Sequence, residues 1–195
     1  MSSEFLETFG VIFFSVMTLF FLVETVLSGK WNKMYFTSGL PIFVKRISVG
    51  PRYNNIPLSS RFEAQFQSDW TNSLVFREIA PNTYGFREKF FEFRIFKYSP
   101  LMHGVLFFDS VNNQVVVKGF ANWFSVGLSV IWLGCAILIG VKYFPEAASF
   151  VLGFLAFYSI ILGFIYLIQY SRFSNVATFA AQEWERKYTM NVGGA

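Results

Sequence analysis

The chain has one cysteine, one histidine and two stretches of more than twenty residues without a formal charge. With Cys135 alone, buried in an apolar run, no intramolecular disulfide can form, and cysteine usage says nothing about redox compartment. With His103 alone, a three-histidine or His/Cys metal centre cannot be assembled within one chain. His103 is expected on the surface, in a turn after Pro100. No G-x-S-x-G elbow accompanies it, and there is neither a P-loop nor a G-x-G-x-x-G turn. RNP-like, KH-like and zinc-finger patterns are absent too. Nucleic acid is therefore not an expected partner, despite a net charge of +4. The sequence leads to an expectation of no catalytic residue, no metal ligand and no cofactor.

What is there is apolar. Hydrophobic residues make up 54% of the chain and 27 of its 195 residues are Phe, a balance ordinary for membrane proteins and high for soluble ones. A bilayer core about 30 Å thick needs roughly 20 apolar residues of helix to cross it. Residues 120–141 and 147–168 reach that length without a charge, whereas 10–27 is shorter and contains Glu24. Glu4 and Glu7 before the first stretch, and the lack of an A-x-A-like site after it, read as a retained helix rather than a signal peptide.

The expected fold is thus an integral membrane protein with three transmembrane α-helices, one N-terminal and two forming a C-terminal hairpin. Between them lies a small antiparallel α+β cytoplasmic domain. The expected divisions are 1–29, 30–118, 119–170 and an amphipathic C-terminal helix and tail over 171–195.

Basic residues give the set a direction. The flank before the first stretch has no Lys or Arg, while residues 28–119 hold twelve against six Asp or Glu. Trp31, Trp123, Tyr166 and Tyr170 fall at the same predicted interface. The expected orientation has the N-terminus outside and the C-terminus in the cytoplasm, in a bacterial inner membrane. Lys30, Lys33, Lys45, Arg46 and Lys118 are expected to meet anionic lipid at the membrane surface. Glu24 either snorkels toward the membrane edge, pairing with Lys30, or forms a polar site within the membrane.

Small residues on the last two stretches suggest helix packing. Gly153, Ala156 and Gly163 share a face of one helix with Ser149 and Ile160, and Gly127 and Gly134 line the other. Counting outward from Lys142-Tyr143-Phe144-Pro145-Glu146 places Gly127 opposite Gly163 and Gly134 opposite Ala156. Close backbone approach of this kind supplies contact where lipid removes the hydrophobic drive.

In the polar segment, 42–49 and 73–79 read as strands, 51–57 as a Pro-bearing loop and 81–85 as a turn. Ser60 and Glu63 have capping-box spacing for a helix over 61–68. Alternation at the end of 86–96 (Phe91, Phe93 and Ile95 against Glu92 and Arg94) is that of a half-buried strand. Glu88 and Glu92 form a solvated charge cluster on it. Asn112-Asn113 between 104–109 and 114–119 fits a two-residue hairpin that sets Phe108 opposite Val117. Phe173, Val176, Ala180, Trp184 and Tyr188 form a helical stripe. The alternatives are a helix at the membrane interface, a continuation of the third span or, as the favoured expectation, docking on this domain.

The function expected from these features is contact rather than catalysis: an accessory, assembly or stabilising subunit of a larger membrane complex. Its partners would be the lipid bilayer and other membrane subunits or itself. The alternatives are a homo-oligomeric channel, in which Glu24 is the residue to test, and a sensor or immunity-type membrane binder.

Overall fold

The computed structural model describes residues 3–50, 59–67, 72–89, 100–142 and 148–192. In chain order the elements are α1 (Ser3–Gly29), α2 (Lys33–Thr37), β1 (Pro41–Ser48), α3 (Ser59–Gln65), β2 (Leu74–Ala80), β3 (Thr83–Glu88), β4 (Met102–Asp109), β5 (Gln114–Ala121), α4 (Trp123–Lys142) and α5 (Ala148–Val192). They form two compact units. One comprises Met1–Lys30 and Asn122–Phe164, the other Trp31–Ala121 and Ile165–Ala195. α5 is shared between the units.

The first unit is helical. α1 and α5 are each long and apolar enough to cross a bilayer, with a shorter apolar stretch, Trp123–Leu138, in α4. Its twenty residues extend about 30 Å at 1.5 Å per residue. Met17, Glu24 and Ser28 are buried on one face of α1, as helical spacing allows. The Met17 methyl lies 3.4 Å from where a Cβ on Gly127 would sit. The Phe21 and Phe124 rings meet edge-to-face at 5.5 Å. Falling numbers on α1 thus meet rising numbers on α4, and the two helices run antiparallel.

α4 and α5 are antiparallel as well, but they do not meet through the small residues. Trp132 packs against Phe154 at 5.4 Å, and the Ser129 hydroxyl lies 3.1 Å from the Tyr158 hydroxyl. Among the described residues, a Cβ built on Gly134, Gly153 or Gly163 meets nothing within 4 Å, and Gly127 faces Met17. The expected Gly127–Gly163 and Gly134–Ala156 contacts are therefore replaced. Interaxial distance follows the side chains at the contact, and Trp132, Phe154 and Tyr158 are too large for the glycine stripes to close.

The second unit is a five-stranded antiparallel sheet in the order β1-β5-β4-β3-β2. One face carries the core. Phe43, Phe76, Phe86, Met102, Leu106, Phe108, Val115 and Val117 pack with Phe62 of α3 and with Phe173, Val176, Ala177, Ala180 and Trp184 of α5. Phe173, Val176, Ala180 and Trp184 of the C-terminal stripe read from the sequence form this core-facing edge of α5. Gly104 is required by the packing: a Cβ there would sit 2.1 Å from the Phe86 ring.

The strand ends differ from expectation in informative ways. The 81–85 turn shrinks to Pro81-Asn82, with Asn82 at φ 60° and Tyr84 and Gly85 already in β3. The β4–β5 connection spans four residues, because the Asp109 carboxylate accepts the amides of Val111 and Asn112, both at 3.1 Å. Phe108 consequently pairs with Val115, and Val117 pairs with Leu106. Glu63 does not complete a capping box. It accepts the Phe76 amide at 3.1 Å, while the Phe66 carbonyl accepts that of Leu74 at 3.3 Å. β2 is an edge strand, and its outward amides need such partners. The 51–57 loop, the alternating residues 91–96 with Glu92, the 143–147 connection and the 193–195 end lie outside the described residues.

Candidate functional site

Among the described residues, polar chemistry concentrates in three places, each inside one unit. The first is Glu24. Although it lies in an apolar helix, its side chain is buried. One carboxylate oxygen accepts the Trp123 amide at 2.9 Å and the other the Phe124 amide at 2.6 Å. The first amides of any helix lack intrahelical partners and carry the positive end of the helix dipole. Glu24 therefore caps α4 from a neighbouring helix. Both oxygens are engaged in that cap, which takes the place of the expected snorkelling position.

The second place is the seam between α5 and the sheet. Glu88, on the core face at the end of β3, is fully buried. One of its oxygens takes a short, charge-assisted hydrogen bond from Arg172, and the other accepts the Asn72 side-chain amide at 3.1 Å. The same guanidinium donates to the Asn72 backbone carbonyl. Further along α5, Lys45 donates to the Ser174 hydroxyl at 2.8 Å and to the Thr178 hydroxyl at 3.2 Å. Tyr166 donates to the Ile42 carbonyl at 3.1 Å, and the Trp184 indole to the Gly50 carbonyl at 3.0 Å. These ties fix the register of α5 on the sheet. Glu88 is thus not part of a solvated cluster.

The third place is the opposite face of the sheet, where α2 packs. Tyr35 and Phe36 of α2 are buried, with the Tyr35 ring stacked on His103 at 4.1 Å. The His103 Nε2 lies 3.0 Å from the Tyr35 carbonyl oxygen. His103 is accordingly a buried residue of β4, not a surface turn residue. Beside it the Trp31 ring stacks on Phe36 at 5.1 Å and 10°, and the Arg87 guanidinium lies 5.2 Å above the Trp31 ring. Burial pushes the Arg87 pKa down, a change opposed by Tyr35. Trp31 has φ 54°, a left-handed conformation that costs an ordinary L-residue about 1–2 kcal/mol. A bulky side chain at such an angle is uncommon and points to a constraint.

The basic residues expected at a membrane surface separate on inspection. Lys45 faces the core side and is tied to α5. Arg46 and Lys118 alternate to the other face, where Arg46 is exposed and the Lys118 ammonium lies 5.4 Å from the Phe107 ring. Lys30 and Lys33 are exposed. Arg87, which joins Trp31, was not singled out by sequence. The signal available was its alternation with Glu88, which sends the two side chains to opposite faces.

An open groove of about 440 Å³ runs between α3 and α5, lined by Gln65, Phe66, Gln67, Asn175, Phe179 and Gln182 among others. Among the described residues no group of three or more His, Cys, Asp or Glu is placed to hold a metal ion. Comparison with protein-family models, curated proteins and solved structures finds no match to the chain.

Proposed function

We propose that the chain is an integral membrane protein that acts by contact, as an accessory, assembly or stabilising subunit of a larger membrane complex. The observation that carries this reading is the apolar surface of α5. Its most apolar eighteen-residue window has none of its residues buried within the chain. Phe150, Leu152, Phe157, Ile160 and Phe164 are all more than 60% exposed. A core helix of a soluble domain would bury such a window. An exposed apolar surface of this extent calls for lipid or a protein partner. α1 presents a similar surface, including Val11, Phe14 and Leu19.

On this reading α1, α4 and α5 are the three spans, with the N-terminus outside and the sheet unit in the cytoplasm, as the distribution of Lys and Arg favours. Lys30, Lys33, Arg46 and Lys118 then serve as the surface-facing basic residues, and Lys45 leaves the set. The placement of Glu24 also favours contact over conduction, because a carboxylate that caps a helix is engaged rather than facing an aqueous path. The face carrying Gly153, Ala156 and Gly163 remains open for a partner's transmembrane helix.

The test is purification of the full chain from membranes in mild detergent, followed by native mass spectrometry. A stoichiometric complex with another membrane protein is expected. Recovery as a monomer, with crosslinking in intact membranes capturing no other protein, overturns the reading.

A further inference from the structure

We infer that Trp31 and Arg87, with Lys33, form a binding site for the phosphate of an anionic phospholipid headgroup. The inference rests on the membrane reading above and adds a ligand and its residues. Three observations meet at this point. Trp31 holds a left-handed φ of 54° at the second residue after α1, although Gly29 would take that conformation without strain. The strained backbone brings the indole flat against Phe36 at 5.1 Å. Arg87 then lies over the indole at 5.2 Å from its centroid, its backbone fixed by pairing with Val75 of β2.

The chemistry of the pair suits a phosphate. The Arg87 Nη1 donates to the Glu88 carbonyl at 3.3 Å, which together with the indole holds the guanidinium in one orientation, and its permanent positive charge attracts a phosphate oxygen. Partial burial of Arg87 weakens competition from water. Lys33 opens α2 two residues after Trp31 and is exposed, adding a second cation. Trp31, two residues beyond Gly29 in the chain, falls where lipid headgroups lie if α1 is embedded. Free phosphate shares the oxygen chemistry but not the acyl chains. The apolar helix that ends two residues earlier selects the lipid as the source.

The experiment uses the full chain in mild detergent. It is titrated with dioctanoyl phosphatidylglycerol, dioctanoyl phosphatidylcholine or inorganic phosphate, and bound species are counted by native mass spectrometry. The phosphatidylglycerol is expected to be retained at about tenfold lower concentration than the phosphatidylcholine. Arg87→Gln removes that preference, and Arg77→Gln, an exposed arginine on β2, leaves it unchanged. Trp31→Gly suits the local φ, so it keeps the fold while losing the preference.

Equal retention of the two lipids, or a preference that survives both Arg87→Gln and Trp31→Gly, overturns the inference. Displacement of bound phosphatidylglycerol by low-millimolar phosphate overturns the lipid as its source. A chain that stays in the membrane pellet at alkaline pH yet shows no headgroup preference sinks this inference alone. A chain released from that pellet sinks the membrane reading beneath it.

Discussion

Glu24 and Trp123 lie 99 residues apart in the chain, and a carboxylate oxygen of the first accepts the backbone amide of the second at 2.9 Å. With the Phe124 amide bound to the other oxygen, a single acidic side chain on α1 satisfies the start of α4. An acid that looked like a defect in a transmembrane sequence is a structural joint between two apolar helices.

Removing that joint should loosen the helical unit. Glu24→Ala leaves two amides at the start of α4 without their acceptor, and loss of a helix cap costs about 0.5–2 kcal/mol. Glu24→Gln keeps one acceptor oxygen and should lose less. Thermal unfolding of the full chain in detergent checks the order: wild type above Glu24→Gln, and Glu24→Ala lowest.

The pair of Glu88 and Arg172 should matter more. Breaking a buried ion pair by deleting one partner costs about 3–5 kcal/mol, whereas replacing both with apolar groups is often close to neutral. Glu88→Ala should therefore destabilise the sheet unit strongly. Glu88→Leu combined with Arg172→Met should recover much of the loss. Denaturant titration followed by near-ultraviolet circular dichroism reads the difference.

Much of the sheet was legible because alternation is a local signal. Val115 and Val117 announce a strand whichever partner they find. The hairpin register was not legible, because it depends on the Asp109 carboxylate gathering the Val111 and Asn112 amides into a longer loop. Long-range partners escaped for the same reason. Nothing near His103 in sequence reveals the Tyr35 carbonyl 68 residues away, and nothing near Glu88 reveals Arg172, 84 residues on. Small residues at helical spacing mark a face but do not say what that face meets. Bulky Trp132 and Tyr158, only a few residues away, set the contact instead.

Gly104→Ala should act through volume alone. The added methyl would have to displace the Phe86 ring, which is fully buried, and overpacking of this kind typically costs about 1–3 kcal/mol. Pairing it with Phe86→Leu should restore part of the loss. Unfolding midpoints of the two variants and their combination measure the coupling.

The Asp109 loop gives a pH signature. The Asn112 side chain, foremost, and the Asn112 and Val111 amides lower the Asp109 pKa below its ordinary 3.8. A lowered folded-state pKa means the stabilisation is present above the unfolded value and is lost as pH falls through the folded one. Asp109→Ala should thus be less stable than wild type at neutral pH, and the gap should narrow once pH drops below about 3.8. Unfolding midpoints of both proteins between neutral pH and that region check the sign.

The central claim is that the exposed apolar faces of α1 and α5 lie in a bilayer. Extraction of membranes containing the full chain with alkaline carbonate tests it most directly, since this treatment strips peripheral proteins and leaves embedded helices in place. The account predicts that the chain remains in the pellet and is released only by detergent. Recovery of the chain in the carbonate supernatant would contradict it.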